Sequence, residues 1–166
     1  LDPLNQAPLI EVRRVDPACP KVRPLIEGNQ SHGALATDAS SDHTFGVEAL
    51  CNSEVRFFAA FDGVRALGCG AYKALSNGTA EVKSVYVAQT ARGRGVARIL
   101  MDHLANQARQ EGFSALVLET GSALCPEYDA ARTLYENLRY SYCPPFEGYD
   151  ADPMRVFMRL PLTDQT

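Results

Sequence analysis

No stretch of this 166-residue chain approaches the ~20 consecutive apolar residues of a bilayer-spanning helix, so no membrane partner is expected. The opening LDPLNQAPLI lacks the basic start and apolar run of a secretory signal, which points to a cytoplasmic setting. Nor is there a basic excess. Lys and Arg number 16 against 20 Asp and Glu, and a net charge of −4 excludes the electropositive face that a nucleic-acid backbone needs. Five cysteines (Cys19, Cys51, Cys69, Cys125, Cys143) are scattered, without the close Cys-x-x-Cys spacing of zinc or redox sites. They read as reduced thiols, and no metal is expected. Internal repeats and linkers are also missing, so residues 1–166 read as one domain, long enough to bury a substantial core.

What is present has the profile of a soluble globular protein, with 46% hydrophobic and 22% charged residues. LIEVRRV (9–15) alternates like a first strand. Pro17, Pro20 and Pro24 then interrupt regular structure, with a short helix able to start after Pro20 or Pro24. Gly28 to His43 reads as a loop or weak helix, and 44–52 as another short helix. VRFFAAF (55–61), Asp62-Gly63 and VRALGCGAYKAL (64–75) read as a hairpin, because Asp-Gly is a favoured two-residue turn. Ser76-Asn77-Gly78 turns the chain into TAEVKSVYV (79–87), the third strand of a meander. Val96, Ile99, Leu100, Leu104 and Ala108 fall at helical spacing, and Gly112 ends that helix. SALVLET (114–120) suits a buried strand, EYDAARTLYENL (127–138) an amphipathic helix, and 140–143 and 154–160 two closing strands. The class is α/β, one mixed sheet flanked by helices.

Between the meander and its helix lies Arg92-Gly93-Arg94-Gly95-Val96-Ala97. Glycines let backbone N–H groups approach a ligand, and the helix that follows adds unpaired N–H groups and the positive end of its dipole. That combination suits a pyrophosphate, with Arg92 and Arg94 supplying charge to further oxygens. A nucleotide P-loop is excluded, because no Gly-Lys-Ser/Thr follows. The dinucleotide fingerprint is excluded as well, because its third glycine is missing.

Arg92-x-x-Gly95-x-Ala97 matches the Arg/Gln-x-x-Gly-x-Gly/Ala signature of the GNAT acyltransferases, and AEVKSVYVAQTARGRGVARILMDHL resembles the strand–loop–helix core of that superfamily. Downstream, ALVLETGS and AARTLYENLRYSYCPPF resemble its second half, so the likeness covers about residues 50–160. The resemblance implies a mostly antiparallel sheet whose fourth and fifth strands splay into a V. Acetyl-CoA would lie in that opening, with its pyrophosphate on Arg92–Ala97 and its pantetheine arm strand-like against Val85, Tyr86 and Val87. The implied reaction is acetyl transfer to a primary amine of a small molecule, peptide or protein. The alternative is a non-catalytic acyl-CoA-binding sensor or assembly module. A homodimer is compatible with either.

Amide formation from a thioester needs a neutral amine, a polarised carbonyl and a proton for the leaving thiolate. By resemblance Tyr135, in Leu134-Tyr135-Glu136, stands where many members keep the tyrosine that protonates the thiolate. Glu81 lies fourteen residues before Gly95, the spacing of the catalytic glutamate of histone-type members, and shares a strand face with Lys83. Glu119 and Thr120 are expected beside the acyl site, and His43 in the acceptor pocket between 24–52 and 144–153. Glu147, Asp150 and Asp152 in the latter loop form an acidic group that reads either as solvated loop carboxylates or as an attractor for a cationic amine. His32 and His103 carry no motif, and His103 reads as a surface residue. Where the family often has an asparagine seven residues before the tyrosine, this chain has Tyr128, so that contact is not carried over.

Overall fold

Phe57 and Phe58 are adjacent in the chain yet bury into different hydrophobic clusters, one on each face of the sheet. That alternation sets the architecture of the computed structural model, which describes residues 9–36 and 44–163. The elements run β1 (Ile10–Arg14), α1 (Arg23–Ala36), α2 (Val47–Leu50), β2 (Val55–Asp62), β3 (Arg65–Ala74) and β4 (Ala80–Val87). Then follow α3 (Val96–Gln110), β5 (Ala115–Gly121), α4 (Asp129–Asn137), β6 (Ser141–Cys143) and β7 (Arg155–Pro161). Seven strands make one sheet in the order β1-β2-β3-β4-β5-β7-β6. Every adjacent pair is antiparallel except β4 and β5, which are parallel.

One layer packs Val22 and Ile26 of the α1 region and Leu50 of α2 onto Phe57 and Ala71. The opposite layer packs Met101 and Leu104 of α3 and Tyr135 of α4 onto Tyr72, Leu116 and Met158. Leu100 and Leu104 are fully buried, and truncating either to alanine costs about 2–5 kcal/mol. Among the described residues no helix is long and apolar enough to cross a membrane.

Of the two readings from Gly28 onward, loop or weak helix, the structure has the helix, since α1 continues to Ala36. Pro24 lies in its first turn, where the missing N–H is not needed. Glycine and serine are poor helix formers, but burial of Leu25 and Ile26 outweighs that local preference. Gly28 has a packing reason, because a Cβ there would stand 2.7 Å from the Tyr86 ring. The predicted helix 127–138 is likewise divided: a single tight turn at Pro126–Tyr128 precedes α4.

Two irregularities of β4 shape the functional region. β4 and β5 pair only at Ala80↔Leu116 and Glu81↔Val117, after which both strands continue unpaired with each other. β4 also carries a bulge. The register passes from Cys69↔Tyr86 to Ala71↔Lys83, three steps on β4 against two on β3, and Ser84 takes φ 59. Such an extra residue drops out of the ladder and bends the strand, which helps β4 turn away from β5.

Candidate active site

The gap where β4 and β5 part is a cleft of about 530 Å³. Glu81 through Val87 line one wall and Leu118, Glu119 and Thr120 the other. Val85, Tyr86 and Val87 therefore lie along the cleft on the diverging part of β4.

At one end the chain enters α3. Gly95 precedes the helix with φ 74 and ψ 19, a left-handed conformation that costs a residue bearing a Cβ about 1–2 kcal/mol. No side chain caps the helix, so its leading N–H groups are not claimed by one. Arg92, Gly93, Gly95, Val96 and Ala97 all line the cleft. The guanidinium of Arg92 lies 5.9 Å from the Tyr86 ring centre. Arg94 does not line the cleft, since its guanidinium lies 3.3 Å from Asp62 Oδ2. Arg98, one turn into α3, lines the cleft where Arg94 was expected. Its sequence signal is its position three residues after Gly95, which returns the side chain to the leading edge of the helix.

Tyr135 reaches the cleft from α4. That helix is tied to the end of β5 by Arg132, whose Nη1 donates to the carbonyls of Gly121 and Ser122, each at 2.7 Å. Tyr135 is buried, and burial, aided by Tyr128 and Glu119 nearby, pushes its phenol up to about 12. It lines the cleft as a neutral proton donor.

Glu81 is no solvated strand residue; only 4% of its surface is exposed. The Tyr149 hydroxyl donates to Glu81 Oε2 at 2.6 Å, and Lys83 Nζ lies 3.4 Å from the same oxygen. Lys83 also donates to the Tyr149 hydroxyl oxygen at 3.0 Å and stands 4.1 Å from the Phe45 ring centre. Segments from both expected sides of the acceptor pocket thus meet over β4. The acidic group of the 144–153 loop does not line the cleft. Glu147 instead accepts from Ser76 N and Oγ at 3.0 and 2.7 Å, Asp152 accepts from Met154 N at 2.9 Å, and Asp150 is exposed. Glu147 therefore pins the loop to the β3–β4 turn.

Across the cleft Glu119 is held by Arg155, whose Nε and Nη2 donate to Oε2 and Oε1 at 2.6 and 2.7 Å. Both side chains are buried, and the third guanidinium nitrogen, Nη1, is buried with no hydrogen-bond partner. Burial disfavours the charge of Arg155, but Glu119 and, after it, the Tyr128 hydroxyl outweigh it and the pKa is raised. Thr120 is buried and lines the cleft, while His43 lies outside the described residues. His32 lines the cleft edge-on to Tyr128, ring centres 5.0 Å apart, and burial and Arg92 lower its pKa. His103, expected at the surface, is half-buried edge-on to Phe58, away from the cleft. Tyr128 packs its ring against Gly121 and lies 5.4 Å from the Arg155 guanidinium carbon.

Residues 29–138 match the family model described as Acetyltransferase (GNAT) family. The chain is 37% identical over 134 residues to the uncharacterized N-acetyltransferase YsnE of Bacillus subtilis, covering 81% of this chain and 87% of that protein. It is 34% identical over 157 residues to an IAA acetyltransferase of Azospirillum brasilense, covering 93% and 99%. Among solved structures, yncA of Salmonella typhimurium with its cofactor acetyl-CoA superposes with a TM-score of 0.69, over 94% of this chain and 95% of that one. At 19% identity, that likeness concerns the fold.

Proposed function

The chain belongs to the GNAT acetyltransferase family, an acyltransferase fold with splayed fourth and fifth strands, and from this premise we propose that it moves an acetyl group from acetyl-CoA to a primary amine by direct attack in a ternary complex. The observation that carries the reading is a single cleft lined both by an anion-suited helix entrance and by a phenol and a carboxylate, Tyr135 and Glu81. The residues present fit acetyl-CoA. Ser84 Oγ is buried on the unpaired stretch of β4 with no hydrogen-bond partner, a vacancy that an amide-bearing arm running along Val85–Val87 would complete. The pyrophosphate would meet the backbone at Gly93–Ala97 together with Arg92 and Arg98.

Glu81 takes a proton from the acceptor ammonium, directly or through water. The freed nitrogen attacks the thioester carbonyl, whose oxygen draws on backbone N–H groups that the Ser84 bulge releases from the ladder. The C–S bond then breaks, Tyr135 gives its proton to the sulfur, and the second proton of the attacking nitrogen leaves to solvent. The products are an N-acetylated amine and free CoA thiol, and the two side chains re-exchange protons with solvent.

Tyr135 looks too weak an acid for a thiolate, since an ordinary thiol has a pKa near 8.5. The surroundings resolve this. Cys69, buried in the same protein, is pushed by burial up to about 12, level with Tyr135. A thiolate forming in a desolvated cleft rises for the same reason, which narrows the gap between donor and acceptor. The test is incubation with acetyl-CoA and an amine panel, following free thiol and acetylated product together. Amine-dependent release of both supports transfer; acetyl-CoA binding without either makes the chain a binding module.

A further inference from the structure

Arg155 has five N–H donors; Glu119 receives one from Nε and one from Nη2, and the Tyr128 hydroxyl also interacts with the guanidinium. Nη1 is buried in the cleft wall without a partner, on a side chain only 6% exposed. An unmet buried donor on a charged group is costly, and folding alone gives no reason to retain it. Its location connects it to the reaction. Arg155 and Glu119 line the same cleft as Tyr135 and Glu81, the proposed acid and base. Nη1 therefore belongs to the wall of the cleft in which the acceptor must bind.

The charges of that region narrow the choice. Glu81 and Glu119 are balanced by Lys83 and Arg155, so the buried site is neutral. A simple monocationic amine would bring in an uncompensated charge, whereas an ammonium with its own carboxylate adds none. The ammonium end would meet Glu81, and a carboxylate would meet Nη1 in a charge-assisted hydrogen bond. Resting on the acetyl-transfer reading, we infer that Arg155 Nη1 receives a carboxylate borne by the acceptor, so that the substrates are amines carrying a carboxylate a few bonds from the nitrogen, as in amino acids. Arg155 is then a specificity-determining residue, and Glu119 positions it.

The test uses the full chain saturated with CoA, and calorimetry with N-acetyl amino acids and their matched carboxamides as product probes. The wild-type protein should bind the acids about 10- to 100-fold more tightly than the amides. Removing Arg155 alone strands Glu119, so the variant is the neutral pair Glu119→Gln/Arg155→Gln. It should keep acetyl-CoA affinity and lose the acid–amide preference, and Arg155→Lys should lose most of it. In turnover, the ratio of kcat/KM for amino acids over amino-acid amides should collapse in the same way. Equal affinity for acid and amide in the wild-type protein, no binding of either, or a preference that survives in the folded double variant overturns the inference. Carboxylate-dependent binding without acetyl transfer to any amine upholds it and overturns the acetyl-transfer reading. Transfer that ignores the carboxylate does the reverse.

Discussion

Replacing Glu81 by glutamine keeps its shape and its hydrogen bond from Tyr149 but removes both the negative charge and the proton acceptor. An acceptor amine with the lysine reference pKa is about one part in 2,500 neutral at pH 7 and about one part in 25 at pH 9. A variant that must wait for the free amine should gain about tenfold in kcat/KM per pH unit over that range. A wild-type enzyme that deprotonates the bound ammonium should change much less. A deficit of about 10²- to 10⁴-fold at pH 7, the scale of general-base catalysis, should therefore shrink by up to about 100-fold at pH 9. One complication follows from the structure. Lys83 lies 3.4 Å from Glu81 with a side chain 6% exposed, and stranding a buried charge costs about 3–5 kcal/mol. Glu81→Gln/Lys83→Met removes both charges and should recover the melting temperature without recovering activity at pH 7. Steady-state kinetics from pH 6.5 to 9.5 with matched thermal melts decide the matter. Parallel wild-type and variant profiles would refute the base assignment and leave Glu81 a positioning residue.

Tyr135→Phe should lower kcat by about 10²-fold or more with little change in acetyl-CoA affinity, because the ring stays; single-turnover rates equal to wild type would return Tyr135 to the core. Gly95→Val should abolish most acetyl-CoA affinity, since the backbone must hold φ 74 and the new branches would enter the phosphate approach; unchanged calorimetric binding by a folded variant would contradict that. Arg92→Ala should weaken the same binding by about 1–3 kcal/mol. Because the folded pKa of Tyr135 lies above its ordinary value near 10, its stabilisation is complete below pH 10 and is lost as pH rises through about 12. At pH 11 that loss is about 1.4 kcal/mol, so urea midpoints measured at pH 8 and 11 should differ less in Tyr135→Phe than in the wild-type protein. An equal difference in both would show that Tyr135 ionises as it would in water.

The meander, the hairpin turn and the strand–loop–helix at 79–110 are legible in the chain because their signals are local. Phe57 and Phe58 reveal alternation by adjacency, and Gly93 and Gly95 sit beside the helix they introduce. Helix α1 was less legible, since Gly28 and Gly33 weaken it locally and its support comes from β4 and the core. The acceptor end was barely legible. Tyr149 meets Glu81 across 68 residues of sequence, and Arg155 meets Glu119 across 36. Neither pair is suggested by spacing; both arise from the sheet order that sets β7 beside β5 and folds the 144–153 loop back over β4. For the same reason the acidic residues of that loop leave a cation site and plain solvated carboxylates both open in the sequence. In the structure Glu147 serves to fasten the loop to Ser76.

The most direct test of acetyl transfer in the cleft is a stoichiometry. Purified protein, acetyl-CoA and a panel of amines that includes amino acids are incubated, and released thiol and N-acetylated product are quantified in the same samples. Thiol release that rises with amine concentration, one product per thiol, and that falls about 10²-fold in Tyr135→Phe, is the predicted result. Tight acetyl-CoA binding with thiol release independent of every amine would contradict it.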